Sequence, residues 1–347
     1  MQPIENISSS RIYMKVKNYK RIIISRTDSI GDVVLTLPLA GKLKALMPDT
    51  EIVFLGKSYT QPIIQSCIHV DRFVNWDVVS GHSKPERAAF LKEIDADVII
   101  FAFPQKEVCF AAKTAKIPVR IATAGRLTTL QTCNKLVPFS RKNSSLHESQ
   151  LNMFLLRPVG VEAIPSMDEI LQLIGWKSPR LNNERLKTLL DDPRKKIILH
   201  PKSKGSAPEW PIERFASLAH QLSPEDFLIF VTGTPEDRKL ISDIFPFQLE
   251  NIIDLCGSIS LSEFIAFIAH CDTMIASSTG PIHIAAVSSI LTIGLFSPIR
   301  PFHPARWKPI GARVEIITAE NHPLKGKELD IPVSEVSNIL QTKLLYL

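Results

Sequence analysis

The sequence has little of what a disulfide-stabilised or zinc-binding protein requires. Only five of its 347 residues are cysteines, and no two of them form a C-x-x-C pair. Such an odd and widely spaced set argues against a disulfide framework and a zinc site, and it favours a reducing compartment. The five are Cys67, Cys109, Cys133, Cys256 and Cys271.

Long apolar runs are also missing. The first twenty residues contain Lys and Arg but no apolar core of signal-peptide length. No run approaches the roughly 18 apolar residues of a membrane span. We therefore expect a cytoplasmic protein, open to peripheral contact with the cytoplasmic face of the inner membrane.

The chain is short of the aromatic residues that stack on nucleobases. It has four Trp and four Tyr, and its basic residues are scattered along its length. Nucleic acid is therefore not the expected partner. The net charge of +6 and the pI near 9.0 still indicate an anionic partner, such as a phosphorylated substrate or an anionic membrane face.

The length and the alternation of patterns predict two domains of one α/β type. Short apolar runs typical of buried strands alternate with helical patterns, first from residue 21 and again from residue 196. The predicted divisions are an N-terminal extension at 1–20, a first Rossmann-like domain at 21–165, a connection at 166–195, a second Rossmann-like domain at 196–331 and a C-terminal helix at 332–347.

Two stretches lack good periodicity. Residues 123–145 are rich in Arg, Lys, Thr and Ser and are predicted to be mobile loops. Residues 159–195 contain Pro165, Pro179 and Pro193 with a single amphipathic piece at 183–190, which is typical of an interdomain connection.

The stretch from Arg21 to Ala40 organises the first domain. Three isoleucines predict a buried strand, and a helical pattern begins at Gly31. The polar loop between them ends at Asp32, where the strand's carboxyl end predicts a ligand site. Asp32 is either a simple helix-start acid or a catalytic base, and the loop alone does not decide between them.

Three polar loops follow predicted strands in the second half. Hydroxyl groups and a glycine at a helix start form a ready anion site, because free N–H groups and the helix dipole point outward. Each loop alone is a weak signal, but three on one sheet edge predict a diphosphate and a ribose bound there. The loops span 201–206, 232–237 and 277–283.

The motifs in these loops resemble those of glycosyltransferase family 9, whose best-known members are ADP-heptose:lipopolysaccharide heptosyltransferases. Arg26 and the run from Ser29 to Thr36 match the family's N-terminal motif, and Thr279-Gly280-Pro281 with His283 matches its phosphate motif. Weaker landmarks are His147-Glu148, Asn152, Leu155-Leu156, Phe296-Ser297-Pro298 and Arg306-Trp307.

This resemblance implies a GT-B architecture, in which two Rossmann-like parallel-sheet domains face a central cleft. It implies an inverting, metal-independent transfer of a sugar, with heptose expected, from a nucleotide-diphosphate donor to a lipopolysaccharide-core or other cell-envelope glycan. No cofactor is expected, and ADP-heptose is the expected donor. Asp32 takes the place of the general base.

The resemblance and the loops together assign the binding residues. Donor binding is expected at Lys202, Lys204, Ser206, Thr232, Gly233, Glu236 (near the ribose), Ser278, Thr279, Gly280, Pro281 and His283. Acceptor binding is expected at Arg26, Ser29, Gly31, Arg120 and Arg126, with Arg141 and Lys142 as further cations for an anionic glycolipid or oligosaccharide.

Two positions depart from the family pattern. Many members have a lysine where this chain has Pro208, and an aspartate where it has Ser278. We expect Lys202 or Lys204 to supply the missing phosphate charge.

One metal-binding pattern occurs, at Asp95-Ala96-Asp97. It precedes a predicted strand and so lies at the amino end of the sheet, away from the ligand edge. We expect a solvated turn there and no metal.

Two other functions remain open from sequence. One is a sugar-nucleotide epimerase on a similar two-domain fold, whose product needs no acceptor. The other is a non-catalytic nucleotide- or glycan-binding protein, which Pro208 and Ser278 make conceivable. Donor turnover with and without an acceptor separates the three.

Overall fold

The computed structural model describes residues 18–142, 144–320 and 328–345. The predicted N-terminal extension at 1–20 therefore lies, up to residue 17, outside the described residues. The last two residues of the predicted C-terminal helix also lie outside them.

The first half of the chain builds a parallel sheet with strand order β3-β2-β1-β4-β5-β6. In β1, Ile22 and Ile24 pack into one buried cluster and Ile23 into another, because helices cover both faces of the sheet. The strands are β1 (Arg21–Ser25), β2 (Glu51–Gly56), β3 (Arg72–Asn75), β4 (Val98–Phe101), β5 (Val119–Thr123) and β6 (Lys135–Val137). The helices are α1 (Ile30–Val34), α2 (Pro38–Leu46), α3 (Gln61–Gln65), α4 (Asp77–Ser80), α5 (Lys84–Glu93), α6 (Lys106–Thr114), α7 (Leu127–Thr132) and α8 (Glu148–Met153), with 3₁₀ turns at Ser58–Thr60 and Phe154–Val159.

Two helices lie in the connection between the halves. The first, α9 (Met167–Gln172), begins with a capping box between Ser166 and Glu169, and the second is α10 (Glu184–Leu190). Asn183 caps α10 and also donates a 2.7 Å hydrogen bond to Glu263, so this segment is tied to the second half.

The second half repeats the first, with strand order β12-β11-β10-β7-β8-β9. Its strands are β7 (Lys195–His200), β8 (Phe227–Val231), β9 (Ile252–Asp254), β10 (Thr273–Ser277), β11 (Leu291–Phe296) and β12 (Val314–Thr318). Its helices are α11 (Ile212–Gln221), α12 (Pro235–Ile241), α13 (Leu261–Ile268), α14 (Gly280–Val287), α15 (Pro304–Trp307) and α16 (Val333–Leu340), the last continuing as a π-helical turn at Gln341–Leu345.

Each sheet reverses its direction of strand addition next to its first strand. In the first sheet β1 pairs in parallel with both β2 and β4, and in the second β7 pairs with both β8 and β10. Ligands bind outside the carboxyl ends of strands at such switch points. The loops that follow β1, β7 and β10 therefore occupy the binding positions of the fold.

The helical stretch predicted from Gly31 onward is two helices. Pro38 begins α2, and the chain between Leu35 and Leu37 is a turn. Proline is suited to the first turn of a helix because it has no N–H to donate. The break leaves α1 as a short helix whose first turn carries Asp32.

The prediction of mobile loops at 123–145 is wrong, because α7 and β6 lie there. In α7 the buried positions are Thr129 and Thr132, while Leu127 and Leu130 are exposed. The buried threonines donate hydrogen bonds to nearby backbone carbonyls. This reversed polarity hides the helix from any search for an apolar buried face.

The two halves share part of their hydrophobic core. Ile22 and Val33 of the first half belong to the same buried cluster as Met274 and Ile282 of the second. The C-terminal helix packs on the second half, where Val336 and Leu340 join its other cluster. The predicted domain divisions stay predictions.

Candidate active site

A cavity of about 990 Å³ lies between the carboxyl edges of the two sheets. Loops from both halves line it, so residues separated by more than 200 positions in the chain face one space. The predicted site residues on its wall are Ser29, Gly31, Asp32, Lys202, Lys204, Ser206, Thr232, Gly233, Ser278, Thr279, Gly280, Pro281 and His283.

The loop after β1 holds Asp32 in a fixed position. One carboxylate oxygen of Asp32 accepts a hydrogen bond from the guanidinium of Arg26, and the other accepts from the hydroxyl of Ser29. The side chain of Arg26 is only 4% exposed. A carboxylate has about four lone-pair positions. Asp32 therefore retains acceptor capacity toward the cavity.

Arg26 also forms an ion pair with a second acid of the same loop, Asp28. Its Nε donates to Asp28 at 2.6 Å. Burial and the neighbouring charge of Asp32 raise the pKa of Asp28 to about 6, although Arg26 opposes the shift. Asp28 and Asp32 thus place two carboxylates around one buried guanidinium.

The two halves meet closely at glycines on either side of the cavity. A Cβ added to Gly280 would lie 2.7 Å from Cβ of Ile30 and 3.3 Å from the backbone nitrogen of Gly31. A Cβ added to Gly31 would lie 2.8 Å from the ring of His283. Real Cβ contacts are not this short, so both positions require glycine. The first turns of α1 and α14 are therefore in direct contact.

His283 stands in the first turn of α14 and is buried. Burial lowers its pKa to about 3, with a smaller contribution from His147. Its Nδ1 has no hydrogen-bond partner within the described part of the chain. The ring is therefore a neutral group beside the helix N-terminus.

The start of α14 has the features of an anion site. Thr279 is its N-cap residue and Pro281 lies in its first turn. Among the described residues the Thr279 hydroxyl makes no capping hydrogen bond. The free N–H groups and the helix dipole favour an anion at this end.

The loop after β7 brings two lysines to the cavity, but they differ in their partners. Lys202 is ion-paired with Glu209, which also accepts from the backbone and hydroxyl of Ser203. Lys204 is exposed and has no ion pair within the described chain. It adopts φ +53°, and Gly205 follows at φ +72°.

Two donor residues predicted around β8 fall in different places. Thr232 lines the cavity and its hydroxyl is 2.9 Å from Nδ1 of His200. Glu236 is exposed on α12 and is not among the lining residues. The acid that reaches the lining is Asp237, whose carboxylate caps α12 by accepting from Thr234.

Sequence reasoning missed His200, which lines the cavity and is largely buried. Burial lowers its pKa to about 4, so it is neutral at physiological pH. Its position at the end of β7 was the available signal, because the last residue of a parallel strand faces the ligand edge.

An apolar wall was also missed. The loop after β9 and the start of α13 line the cavity with Leu255, Ile259, Leu261 and Phe264, next to Ser260 and Ser262. An apolar wall beside hydroxyls and backbone groups is a typical binding surface for a flat ring.

The predicted acceptor cations do not gather at the cavity. Arg120, near the amino end of β5, donates to the carbonyls of Thr132 and Ile117. Arg126 lies with its guanidinium 5.7 Å from the centre of the Phe103 ring. Arg26 approaches the same ring at 6.0 Å, so Arg126 lies near the Asp32 loop but not on the cavity wall.

Arg141 has a structural position that the sequence did not indicate. Glu148 at the start of α8 is 1% exposed and lies among three guanidinium groups. Its oxygens are 2.9 Å from Arg141, 3.6 Å from Arg26 and 2.9 Å from Arg306. Because Arg306 belongs to the second half, Glu148 joins the halves behind the Asp32 loop.

The Asp95-Ala96-Asp97 pattern lies at the amino edge of the first sheet. Asp97 accepts hydrogen bonds from the backbone nitrogens of Lys20 and Arg21 at 2.7 and 3.1 Å. Within the described ranges no group of three or more His, Cys, Asp or Glu side chains is placed to hold a metal ion. Nor is any described helix of sufficient length and apolarity to cross a bilayer.

Comparison with known proteins places this arrangement among sugar transferases. Residues 89–332 match the model of glycosyltransferase family 9 (heptosyltransferase). The chain is 30% identical over 305 residues to lipooligosaccharide heptosyltransferase 2 of Campylobacter jejuni, covering 85% of this chain and 86% of that protein.

Solved structures show the same fold. A family 9 glycosyl transferase from Veillonella parvula matches with a TM-score of 0.78 at 20% identity, covering 96% of this chain and 99% of that one. The E. coli ADP-heptose LPS heptosyltransferase II matches with a TM-score of 0.73 at 18% identity, covering 94% and 99%. The predicted α/β architecture of two Rossmann-like domains in the GT-B arrangement is confirmed.

Proposed function

Because this chain belongs to glycosyltransferase family 9, the heptosyltransferase family, and is a glycosyltransferase, we propose that it transfers heptose from an ADP-activated donor to a lipopolysaccharide-core acceptor with inversion at the anomeric carbon. The name of the E. coli structure supports ADP-heptose as the donor. The name of the C. jejuni relative supports a lipooligosaccharide acceptor.

The contact between the first turns of α1 and α14 carries this proposal. Asp32 stands in one of these turns and the anion site in the other, and Gly31 and Gly280 hold them together. A diphosphate at α14 would thus place the sugar's anomeric carbon next to Asp32. A direct displacement needs the base and the leaving group on opposite sides of the reacting carbon, which a base and an anion site on two facing helix turns can provide.

The reaction then proceeds in one step. The acceptor hydroxyl attacks the anomeric carbon while Asp32 takes its proton, and the bond from that carbon to the diphosphate oxygen breaks. The nucleoside diphosphate leaves with the bonding electron pair. General-base assistance of this kind is worth about 10²–10⁴-fold in rate.

The second half stabilises the charge of the leaving group. The N-terminus of α14 supplies fixed N–H dipoles, which act without reorganising during the reaction. His283 is neutral, so it adds no positive charge. Lys204 is the exposed cation on the cavity wall and takes the role of the lysine replaced by Pro208.

We also propose that these groups make a divalent ion unnecessary. The role usually taken by a metal, neutralising the diphosphate, falls to Lys204 and the α14 dipole. In the Asp-x-Asp pattern, Asp97 accepts from backbone N–H groups and Asp95 pairs with Lys20, both at the opposite edge of the sheet.

The nucleobase fits the apolar wall. Leu255, Ile259 and Phe264 offer flat contact area, and Ser260 and Ser262 offer polar groups at its margin. On the acceptor side, the exposed Arg126 beside Phe103 provides a cation for an anionic glycan.

Donor turnover with and without an acceptor tests the function. ADP-heptose with a heptose-deficient core acceptor should release ADP and extend the acceptor, with inverted configuration by NMR and undiminished activity in EDTA. Release of ADP without an acceptor, with an isomerised sugar, would indicate an epimerase. No turnover of any nucleotide sugar, despite nucleotide binding, would indicate a binding protein.

The two lysines give a sharper test of the donor site. Lys204→Ala should weaken ADP binding by about tenfold or more, since a charged hydrogen bond is worth about 1.5–3 kcal/mol. Lys202→Ala is the matched control, because Glu209 already engages that lysine, and it should change the dissociation constant less than about threefold. Isothermal titration calorimetry provides both values. Normal binding by the double variant would refute the role of this loop.

A further inference from the structure

Helices α6 and α7 present apolar side chains to solvent on one side of the first half. Phe110 of α6 is 36% exposed, and Leu127 and Leu130 of α7 are 71% and 56% exposed. The two helices are held side by side, because Lys113 of α6 donates a 2.7 Å hydrogen bond to the carbonyl of Gln131 in α7. We call this the α6–α7 surface, defined by Phe110, Leu127 and Leu130.

In α7 the inward positions are occupied by Thr129 and Thr132, which satisfy their hydroxyls on backbone carbonyls. A helix folded only for its own stability places leucine inward and threonine outward. The reversed arrangement points to a partner that covers the leucines.

The segment that contains the surface is rich in basic residues, although Arg141 within it is paired with Glu148. Residues 98–147 contain eight Lys and Arg and a single acid, Glu107, which gives a net charge of +7. The whole chain carries +6. This segment therefore accounts for the positive charge of the protein, and the remainder is close to neutral.

Basic and apolar side chains share one face of α6. Lys106, Phe110 and Lys113 follow one another at helical spacing of four and three residues, and all three are exposed. Exposed leucines and phenylalanine bordered by Lys and Arg are the composition of a surface that enters the headgroup region of an anionic bilayer.

We propose that the α6–α7 surface docks the protein onto an anionic lipid membrane. Apolar side chains enter the headgroup region, and the surrounding cations pair with lipid phosphates. Charge complementarity favours lipid over a second copy of this chain, since two surfaces of the same positive sign repel.

The surface adjoins the loop that carries Asp32. The Phe103 ring lies between the guanidinium of Arg26, from the Asp32 loop, and that of Arg126, the N-cap residue of α7. A docked bilayer would therefore lie beside the acceptor side of the cavity. This orientation rests on the proposed function, whereas lipid binding itself does not.

Vesicle cosedimentation tests the proposal without any sugar donor. The wild-type protein should bind phosphatidylcholine vesicles only when they contain phosphatidylglycerol, and added salt should weaken binding. The Leu127→Ser/Leu130→Ser variant should partition about tenfold less onto these vesicles. Leu240→Ser/Ile244→Ser is the matched control, because this pair is 65% and 43% exposed in the second half, and it should bind like wild type.

A lysine variant and its matched control test the contribution of charge to vesicle binding. Lys106→Gln should lower partitioning by about fivefold, whereas Lys84→Gln on α5 should not. ADP affinity and turnover of a lipid-free acceptor verify that each variant is folded. If those are normal and lipid binding is lost, docking is supported.

Three results would overturn the proposal. One is wild-type protein that ignores anionic vesicles. Another is equal loss of binding in the Leu127/Leu130 and Leu240/Ile244 variants. The third is self-association without lipid that Leu127→Ser/Leu130→Ser abolishes in sedimentation velocity, which would assign the surface to a second copy. Failure of turnover in otherwise membrane-bound wild type would count against the proposed function alone.

Discussion

At the scale of single residues, Glu148 shows how a buried charge is retained. Burial alone would raise the pKa of Glu148, but Arg141, Arg26 and Arg306 together hold it below the usual value. A glutamate with a lowered pKa contributes stability that is present above its unfolded pKa and is lost as the pH falls through the folded pKa. The network therefore stabilises the protein at neutral pH and weakens in acid.

Removing this charge should be costly. Glu148→Gln leaves three guanidinium groups, of which that of Arg26 is only 4% exposed, without their shared carboxylate. Breaking a buried pair in this way costs about 3–5 kcal/mol of the free energy of unfolding. Urea denaturation at neutral pH measures it, and the difference from wild type should narrow toward acid pH.

The control for Glu148→Gln is an exposed ion pair with a similar distance between nitrogen and oxygen. Glu184 and Lys187 are 2.7 Å apart, and the side chain of Glu184 is 83% exposed. Glu184→Gln should change the free energy of unfolding by less than about 0.5 kcal/mol. Equal effects of the two substitutions would show that Glu148 contributes no more than a surface charge.

Single residues also show how far the site could be predicted. Asp32, Thr279 and Lys204 lie on polar loops directly after buried strands, so their position at one sheet edge follows from the pattern. Glu236 and Arg120 were expected to bind the donor and the acceptor because of their residue type and the family resemblance. Whether they reach the cavity depends on the direction in which each side chain points. Direction of this kind is set by packing rather than by spacing.

At the scale of elements, the crossing of α1 and α14 determines the geometry of the cleft. Both helices are short and begin at the carboxyl ends of central strands. Glycine in each first turn lets the backbones approach without side chains between them. The base and the anion site therefore have little freedom to move apart in this state.

Adding a methyl group at this crossing should separate the two turns. Gly280→Ala would bring its Cβ to 2.7 Å from Ile30, which must then shift. Because misplacement of about 1 Å can cost about 10²-fold in rate, we expect turnover to fall by one to two orders of magnitude. Steady-state kinetics with saturating donor measures this loss.

Gly81→Ala is the matched control for this substitution. A Cβ at Gly81 meets nothing within 4 Å, and its φ is −85°. Turnover should stay near the wild-type value. If Gly280→Ala is equally active, the contact between α1 and α14 is not needed for catalysis.

Strands were predicted well where both faces of the sheet are buried. In β2, for example, Ile52, Val53, Phe54 and Leu55 form an apolar run that is fully buried. The failure at α7 has a physical cause, since its leucines face outward and its threonines inward. A pattern search assumes that apolar side chains are buried, and a surface that serves a partner violates this assumption.

At the scale of the whole molecule, two sheets with the same strand order face each other through their switch points. The first contributes Asp32 and the second contributes the lysine loop and α14. Alternation along the chain predicted both sheets and the cleft between them. The buried cluster that joins the halves could not be predicted, because it depends on how the two sheets meet.

The placement of the catalytic base and the donor site in different halves has a direct consequence for nucleotide binding. The candidate contacts to the phosphates, the ribose and the nucleobase all follow residue 195. The proposed catalytic base, Asp32, precedes them by more than 160 positions. A change at Asp32 should therefore affect the chemical step and leave donor affinity in place. The central claim is that Asp32 is that base.

Turnover by Asp32→Asn tests this claim most directly. Asparagine keeps the size of aspartate and its ability to cap a helix, but it cannot take a proton from the acceptor. Although loss of the ion pair with the buried Arg26 should lower the free energy of unfolding, the folded variant should keep its ADP affinity, and we predict a fall in kcat of about two orders of magnitude or more. Near-normal turnover by Asp32→Asn on the correct acceptor would contradict the account.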